Sequence, residues 1–474
     1  MTTCSGKEDE EIGDTPPLTI AIIGGGIVGV VLAHGLLKRG VRVAVYERAL
    51  NFHEIGAGFA FTGVARDCMA RLSGAVIEAM HRVGVPNKRP FDNYWDGYHL
   101  TASHAQQQHA GNEVQADVDP DGTSCELLFT RPNHQLAFWG CLRASFLEQL
   151  ASLLPPGVAH FDKELVDHSD PPEGPVTLTF KDGTTATADA LIGCDGLRSR
   201  VRAQLLTPHV PHAVNPRYTH KRCYRAVVPL SEGERVLGAY KANNQCMHVG
   251  PGAHVLTYPV GEAMLNIVLF ITDQSDWPDP VRMTAPGSRA DALAALSDWG
   301  PAVRGLAALL PTEPLVWGIF DMFDHPTPWY ARQRVCLLGD AAHAAAPHHG
   351  AGAGFGVEDA LALATAVEEA LRTINATGRG AERDMVVSKA EALTAAFQAF
   401  NDVRYERTQW LVRSSREAGE IYEWRYPPSG SDPAKLKTEL DERFKIIWDF
   451  DVDKMVDETR SAYHRRVGDN QLVN

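Results

Sequence analysis

Residues 18–23 are apolar except for Thr19, residues 27–39 carry apolar side chains at helical spacing, and residues 41–47 are again mostly apolar. The first and third segments read as buried strands and the second as a helix, so the pattern predicts a βαβ unit. Helical spacing returns near Leu142 and runs over residues 146–154. Residues 176–180 and 184–192 flank Asp182-Gly183 and read as a hairpin with a two-residue turn. Between residues 223 and 272 the texture changes to short β-rich runs (223–230, 254–260, 265–272), which predict a separate, mostly antiparallel sheet. Residues 335–338 resume the buried-strand pattern, a Gly- and Ala-rich loop follows, and residues 357–371 have helical spacing, so the chain returns to its first domain. After a loop at 377–380 the remainder is charged and helical in pattern, with Trp410, Leu411, Ile446 and Trp448 as apolar anchors.

Composition narrows the classes. A length of 474 residues allows two or three domains, and 44% hydrophobic with 22% charged residues excludes coiled-coil, collagen-like and disordered chains. Lys plus Arg number 45 against 59 Asp plus Glu, leaving a net charge of −14 that repels nucleic acid and anionic membrane. The 8 cysteines are scattered without a C-x-x-C pair, which points to a reducing compartment, and the 19 histidines show no metal-ligand spacing. Residues 18–37 are uncharged over about the length of a membrane span, but a glycine turn interrupts them and Glu8, Asp9, Glu10, Glu11 and Asp14 precede them. The expectation is a cytoplasmic protein with a disordered tail over residues 1–17.

Three motifs carry chemistry. Gly24-x-Gly26-x-x-Gly29 lies between strand and helix, and Glu47 ends the next strand about twenty residues on. Glycines let backbone approach a pyrophosphate, a helix N-terminus supplies partial positive charge, and an acid at the second strand can bind ribose hydroxyls. A tight structural turn is the other reading of the glycines alone. The second motif is Gly193-Cys194-Asp195-Gly196-x-x-Ser199-x-x-Arg202, and the third is Gly339-Asp340-Ala341-Ala342-His343 followed by Pro347 and Gly350-Ala351-Gly352-Ala353-Gly354. An acid at a strand end can hold ribityl hydroxyls, and small residues let a helix N-terminus face a ring that becomes anionic on reduction.

In this order and spacing the motifs resemble those of the FAD-dependent aromatic hydroxylases related to salicylate and para-hydroxybenzoate hydroxylase. The resemblance implies an α/β plus β fold, with a discontinuous Rossmann-like FAD-binding domain (18–88, 126–206 and 325–380). Into it is inserted a mostly antiparallel substrate-binding sheet domain (89–125 and 207–324), and residues 381–474 form a helical region. It further implies that Arg143, and the backbone of Ala60 and Ala353, reach FAD together with Gly24, Gly26, Gly29, Glu47, Asp195, Asp340, Pro347, Gly352 and Gly354. With a single dinucleotide fingerprint, NADPH or NADH enters only as a transient reductant, with O2 as co-substrate. His343 is expected to order its loop, and Cys194 to be a buried inert thiol.

Tyr224-Arg225-Ala226, Tyr258-Pro259-Val260 and the Pro347-His348-His349-Gly350 loop further resemble fungal polyketide-modifying members that hydroxylate and dearomatise resorcinol-type aldehydes through a flavin hydroperoxide. In that resemblance Arg225 and Tyr258 hold the substrate phenolate and are the catalytic pair. Read without it, Arg225 pairs with a neighbouring acid and Tyr258 packs in a sheet. A phenol with a pKa near 10 is a poor nucleophile at neutral pH, and a neighbouring guanidinium lowers such a pKa by about one to three units. The implied partner is a small aromatic polyketide, and the chain is a monomer or homodimer. Two alternatives stand: a salicylate-type hydroxylase that leaves the ring aromatic, and a non-catalytic escort protein on the same fold.

Overall fold

The parallel sheet that opens the chain is built from segments far apart in sequence. In this computed structural model, which describes residues 18–52, 58–99, 125–132, 139–279, 282–377 and 387–473, its strand order is Ala331–Arg332, Val335–Leu337, Ala190–Gly193, Thr19–Ile23, Arg42–Tyr46, Ala159–His160. All pairs are parallel except the first. Helix Ile27–Lys38 makes the first crossover and is buried along most of its length, as the expected βαβ unit requires. The tail expected over residues 1–17 lies outside the described residues, as do residues 55–57 of the loop leading to Ala60.

The expected hairpin arm over 184–192 divides at Asp189. Thr185–Ala188 pairs antiparallel with Val176–Phe180, whereas Ala190–Gly193 leaves to lie beside Thr19–Ile23. The Asp189 carboxylate accepts from the Thr19 N–H at 2.7 Å and its own N–H donates to the Thr19 carbonyl at 2.8 Å, which fixes the crossing point. An apolar run suits either sheet, so periodicity alone could not divide it.

The second large sheet has eight strands in the order Thr284–Pro286, Leu315–Asp321, Arg217–Pro229, Met264–Thr272, Ala253–Val260, Cys246–Gly250, Phe91–Asp96, Leu127–Pro132. The first of the three expected strands is longer than its apolar run, spanning 13 residues. The domain boundary expected at residue 126 falls just ahead of Leu127–Pro132, which pairs with Phe91–Asp96 as the edge of this sheet. Alternation divides its faces. Tyr224, Ala226, Leu265, Ile267, Leu269 and Val255 pack with helices Arg289–Ala295 and Pro301–Ala308 into one core. The other face turns toward the parallel-sheet unit.

Helix Gly352–Thr377 begins inside the stretch expected to be loop, because Gly356 lets it press against helix Ile27–Lys38: a Cβ there would lie 2.4 Å from Val28 Cγ2. The C-terminal helices are Lys389–Tyr422, opened by a Ser388/Glu391 capping box, then Pro433–Trp448 and Val452–Val473. Among the described residues no helix is long and apolar enough to cross a membrane.

Candidate active site and cofactor crevice

The three motifs meet at the C-terminal ends of the parallel strands, where open α/β sheets bind ligands. Gly24 has φ +108°, and a Cβ on it would lie 2.3 Å from the Cys194 carbonyl oxygen; a Cβ on Gly29 would lie 2.1 Å from the Gly24 carbonyl oxygen. These two glycines close the turn. Gly26 is different: a Cβ there would meet only Arg143 Nη2, at 3.8 Å. It caps helix Ile27–Lys38, whose first turn holds no acid and no side-chain cap. Exposed Arg143, the first residue of helix Arg143–Ser152, stands over this open end. Such a cradle of free N–H groups beside a guanidinium fits a dinucleotide pyrophosphate. Glu47 is held at the edge of the turn, accepting from the N–H of Gly25 at 2.7 Å and of Ala49 at 2.8 Å.

The second and third motifs are joined by a residue whose role the sequence did not reveal. Buried Arg202 donates from Nε to the Val214 carbonyl at 2.9 Å and from Nη1 to the carbonyls of Asp340 at 3.2 Å and Ala341 at 2.9 Å, while Nη2 reaches the Leu197 carbonyl. Burial lowers this guanidinium to about 10, so it stays charged at neutral pH. Asp340 is exposed, with Oδ1 4.0 Å from the place a Cβ on Gly352 would take. Asp195 turns its carboxylate back on its own loop, accepting from the Ser199 hydroxyl at 2.5 Å and the N–H groups of Arg200 and Val201 at 2.6 and 3.2 Å. Only its backbone stands beside Gly24. His343 orders the third loop by bonding Asp359 at 2.5 Å, and Asp359 also accepts from buried Arg404 at 2.8 Å. His343 and Arg404 together hold the Asp359 carboxyl below its ordinary range in spite of burial. Pro347, Gly352 and Ala353 are half-buried around the same crevice, Gly354 is buried, and Ala60 lies across it on strand Gly58–Phe61.

Register places Arg225 and Tyr258 on the face of the eight-stranded sheet that turns toward the parallel-sheet unit. Arg225 pairs with Val268, which pairs with Leu256; Tyr258, two residues along, pairs with Asn266. Cys223, Phe270 and Trp317 share this face, and with Ala346 they enclose an apolar patch. The Arg225 guanidinium lies 5.4 Å from the Trp317 ring centre, and its Nε has no hydrogen-bond partner among the described residues. Tyr258 is 4% exposed; burial pushes its hydroxyl up against the pull of Arg225, so it stays protonated and able to donate. No acid pairs with Arg225 among the described residues; its buried charge is acted on by Cys223 and Tyr258 instead. Asn266, a polar residue inside an apolar strand, accepts from the Gly58 N–H at 3.2 Å and joins this face to the strand bearing Ala60. The described residues contain no group of three or more potential metal ligands.

A family model described as an FAD binding domain matches residues 306–380, and one described as an FAD dependent oxidoreductase matches residues 19–116. The chain is 50% identical over 473 residues to an FAD-dependent monooxygenase, SAT7, of Stachybotrys chartarum, covering 98% of this chain and 95% of that one. It is 42% identical over 475 residues to a salicylate hydroxylase, asL1, of Sarocladium schorii, covering 97% and 93%. A solved salicylate hydroxylase substrate complex superposes with a TM-score of 0.76 at 30% identity over 94% of this chain and 98% of its own. With the fold, the glycine cradle and both flavin-domain matches in agreement, the chain belongs to the FAD-dependent monooxygenases of the salicylate hydroxylase type.

Proposed function

We propose that this FAD-dependent monooxygenase hydroxylates a resorcinol-type aromatic aldehyde or ketone of polyketide origin, using NADPH or NADH and O2. The observation that carries the reading is Arg225, a cation set beside Tyr258 on an apolar sheet face with its Nε unpaired among the described residues. When bound, FAD takes hydride from the nicotinamide and activates O2, so that one oxygen atom enters the substrate and the other leaves as water.

Gly26 and Arg143 would hold the pyrophosphate over the turn that Gly24 and Gly29 close, Glu47 the ribose, Asp340 the ribityl chain, and Ala60 and the 347–354 loop the ring. Asp195 contributes through its backbone and by fixing its own turn. Arg225 draws the substrate phenol toward phenolate, which makes the ring carbons electron-rich, and does so without titrating itself. The neutral Tyr258 hydroxyl donates to the same oxygen or to the carbonyl and selects the ring carbon that faces the cofactor. Val268, Leu256 and Trp317 exclude water around the pair.

Oxygen delivered to a carbon that bears a methyl group leaves no proton to restore aromaticity, so the product is a dienone. Delivery to an unsubstituted carbon gives a catechol or hydroquinone, the salicylate-type alternative. Incubation with FAD, NADPH, air and a ring-methylated 2,4-dihydroxybenzaldehyde, followed by mass and ultraviolet spectra, tests this reading. The expected product carries one added oxygen and has lost the aromatic absorption; one added oxygen with aromaticity intact refutes dearomatisation, and peroxide alone refutes the substrate class.

A further inference from the structure

Strand Met264–Thr272 is apolar from its first residue to Ile271 except at Asn266, which is 1% exposed. Leu265 and Ile267, on either side of it, pack into the helix-covered core, so Asn266 points to the opposite face of the sheet. There it stands directly across from Tyr258 on one neighbouring strand and from Val227 on the other, while Arg225 pairs with Val268, the next residue along the same face. Side chains directly across from one another are roughly 5 Å apart at Cβ, within reach of a single small ring. Asn266, Tyr258 and Arg225 are therefore polar neighbours, with Val227, Leu256 and Val268 as the apolar positions among them.

The orientation of the Asn266 amide is fixed by the strand that covers it. Its Oδ1 accepts from the Gly58 N–H at 3.2 Å, and because a backbone N–H can only donate, the oxygen and not the nitrogen must face it. A Cβ on Gly58 would lie 2.6 Å from Asn266 Cγ, and on the strand paired with it a Cβ on Gly140 would lie 3.1 Å from Tyr258 Cδ2. Backbone thus rests directly on both side chains and holds them in place. What is left over is Asn266 Nδ2, a buried amide donor without a hydrogen-bond partner among the described residues. The Gly58 contact accounts for the oxygen and leaves the NH2 unexplained, and an unpaired buried donor destabilises the fold unless a ligand takes it.

We infer that Asn266 Nδ2 donates to the carbonyl oxygen of the substrate and so selects rings that carry an acyl group, an inference that rests on the phenolate reading above. In a 2-hydroxyaryl aldehyde or ketone the phenol and carbonyl oxygens sit on adjacent substituents, so neighbouring side chains can grasp both at once. Arg225 and Tyr258 take the phenolate, and Asn266 takes the carbonyl beside it. An amide carries no charge with which to ionise the phenol; its part is to fix the rotation of the ring about the phenolate and hence the carbon that is presented. A ring without the carbonyl leaves the buried NH2 unpaired, and a site built to bond a polar group discriminates strongly against the analogue that lacks it.

The test titrates FAD-loaded enzyme, wild type and Asn266→Leu, with the ring-methylated 2,4-dihydroxybenzaldehyde and with the methylresorcinol that lacks its aldehyde, reading Kd from perturbation of the flavin spectrum. The preference of the wild type for the aldehyde, expressed as the ratio of the two Kd values, is expected to shrink ~10-fold or more in the variant. Loss of the acceptor for Gly58 moves both ligands alike, so a ratio equal to that of the wild type overturns the inference and leaves the phenolate reading standing. Should Asn266→Leu fail to fold, the C=O stretch of an isotope-labelled aldehyde bound to Tyr258→Phe decides. A stretch lowered relative to the same phenolate in aprotic solvent supports Asn266 as the donor, and an unlowered one overturns it. Wild-type enzyme that binds the aldehyde without forming its phenolate absorption overturns both readings.

Discussion

In the proposed site Arg225 and Gly26 differ in kind, one acting through charge and the other through the absence of a side chain. Replacing Arg225 with Met removes the charge and keeps most of the volume, and it is expected to cut coupled hydroxylation by about 100-fold or more, the ~3 kcal/mol scale of a lost charge-assisted contact. The protein should remain yellow while NAD(P)H is oxidised with peroxide as product; parallel assays of nicotinamide oxidation and hydroxylated product decide it. Tyr258→Phe should lose less and shift the ratio of product to peroxide. Gly26→Ala places its methyl in open space, so the fold should melt near the wild-type temperature while FAD affinity drops, measured by flavin fluorescence on titration. Gly24→Ala combines a positive φ with a 2.3 Å clash and should fail to fold. The glycine spacing made these positions legible before any coordinates. Arg202 was visible only as the last letter of a motif, because its bonds go to carbonyls, which every residue has.

Helix Gly352–Thr377 sets how closely the third motif approaches the first. Gly356 against Val28 is its tightest point, and Gly356→Val should destabilise the protein by about 1–3 kcal/mol through overpacking. Val28→Ala should recover part of that loss, whereas additive melting temperatures in the double variant would contradict direct contact. Helical spacing located this helix but not its start, since glycines at 352, 354 and 356 read as loop until a neighbouring helix is seen to need them. The division of residues 184–192 between two sheets was hidden for a related reason: burial on either sheet demands the same apolar pattern. Strands of the second sheet were legible from their β-rich runs, but the shared orientation of Arg225 and Tyr258 was not, because it depends on the register between strands. The buried hydrogen bonds that His254 makes with Glu423 at 3.1 Å and His348 at 3.2 Å were not legible either, because they join residues 94 or more positions apart whose only sequence trace is a polar letter in an apolar run.

Among the described residues, burial lowers six imidazoles, His34, His168, His248, His254, His348 and His349. It takes His248 and His349 to about 3. The unfolded chain binds protons at these groups near pH ~6.5 while the folded one does not, so stability falls as pH falls from there, by up to about 1.4 kcal/mol per pH unit for each group. Glu423 adds a further loss below about pH 4.3, since its folded carboxylate is held near 2. Melting temperatures from pH 7 to 5 should decline steadily, and His248→Phe should flatten the profile; a level wild-type profile would show that these rings charge freely.

The cradle at residues 24–29 stands at the start of the chain, yet its wall at Cys194 lies 170 positions later, its opposing loop at 339–343 later again, and that loop is locked through Asp359 by Arg404. A nascent polypeptide emerging from the ribosome therefore exposes the nucleotide-binding glycines long before anything encloses them. A crevice assembled from segments so far apart closes only once Arg404 is in place, so a chain cut before helix Lys389–Tyr422 is expected to lack the lock on its third loop.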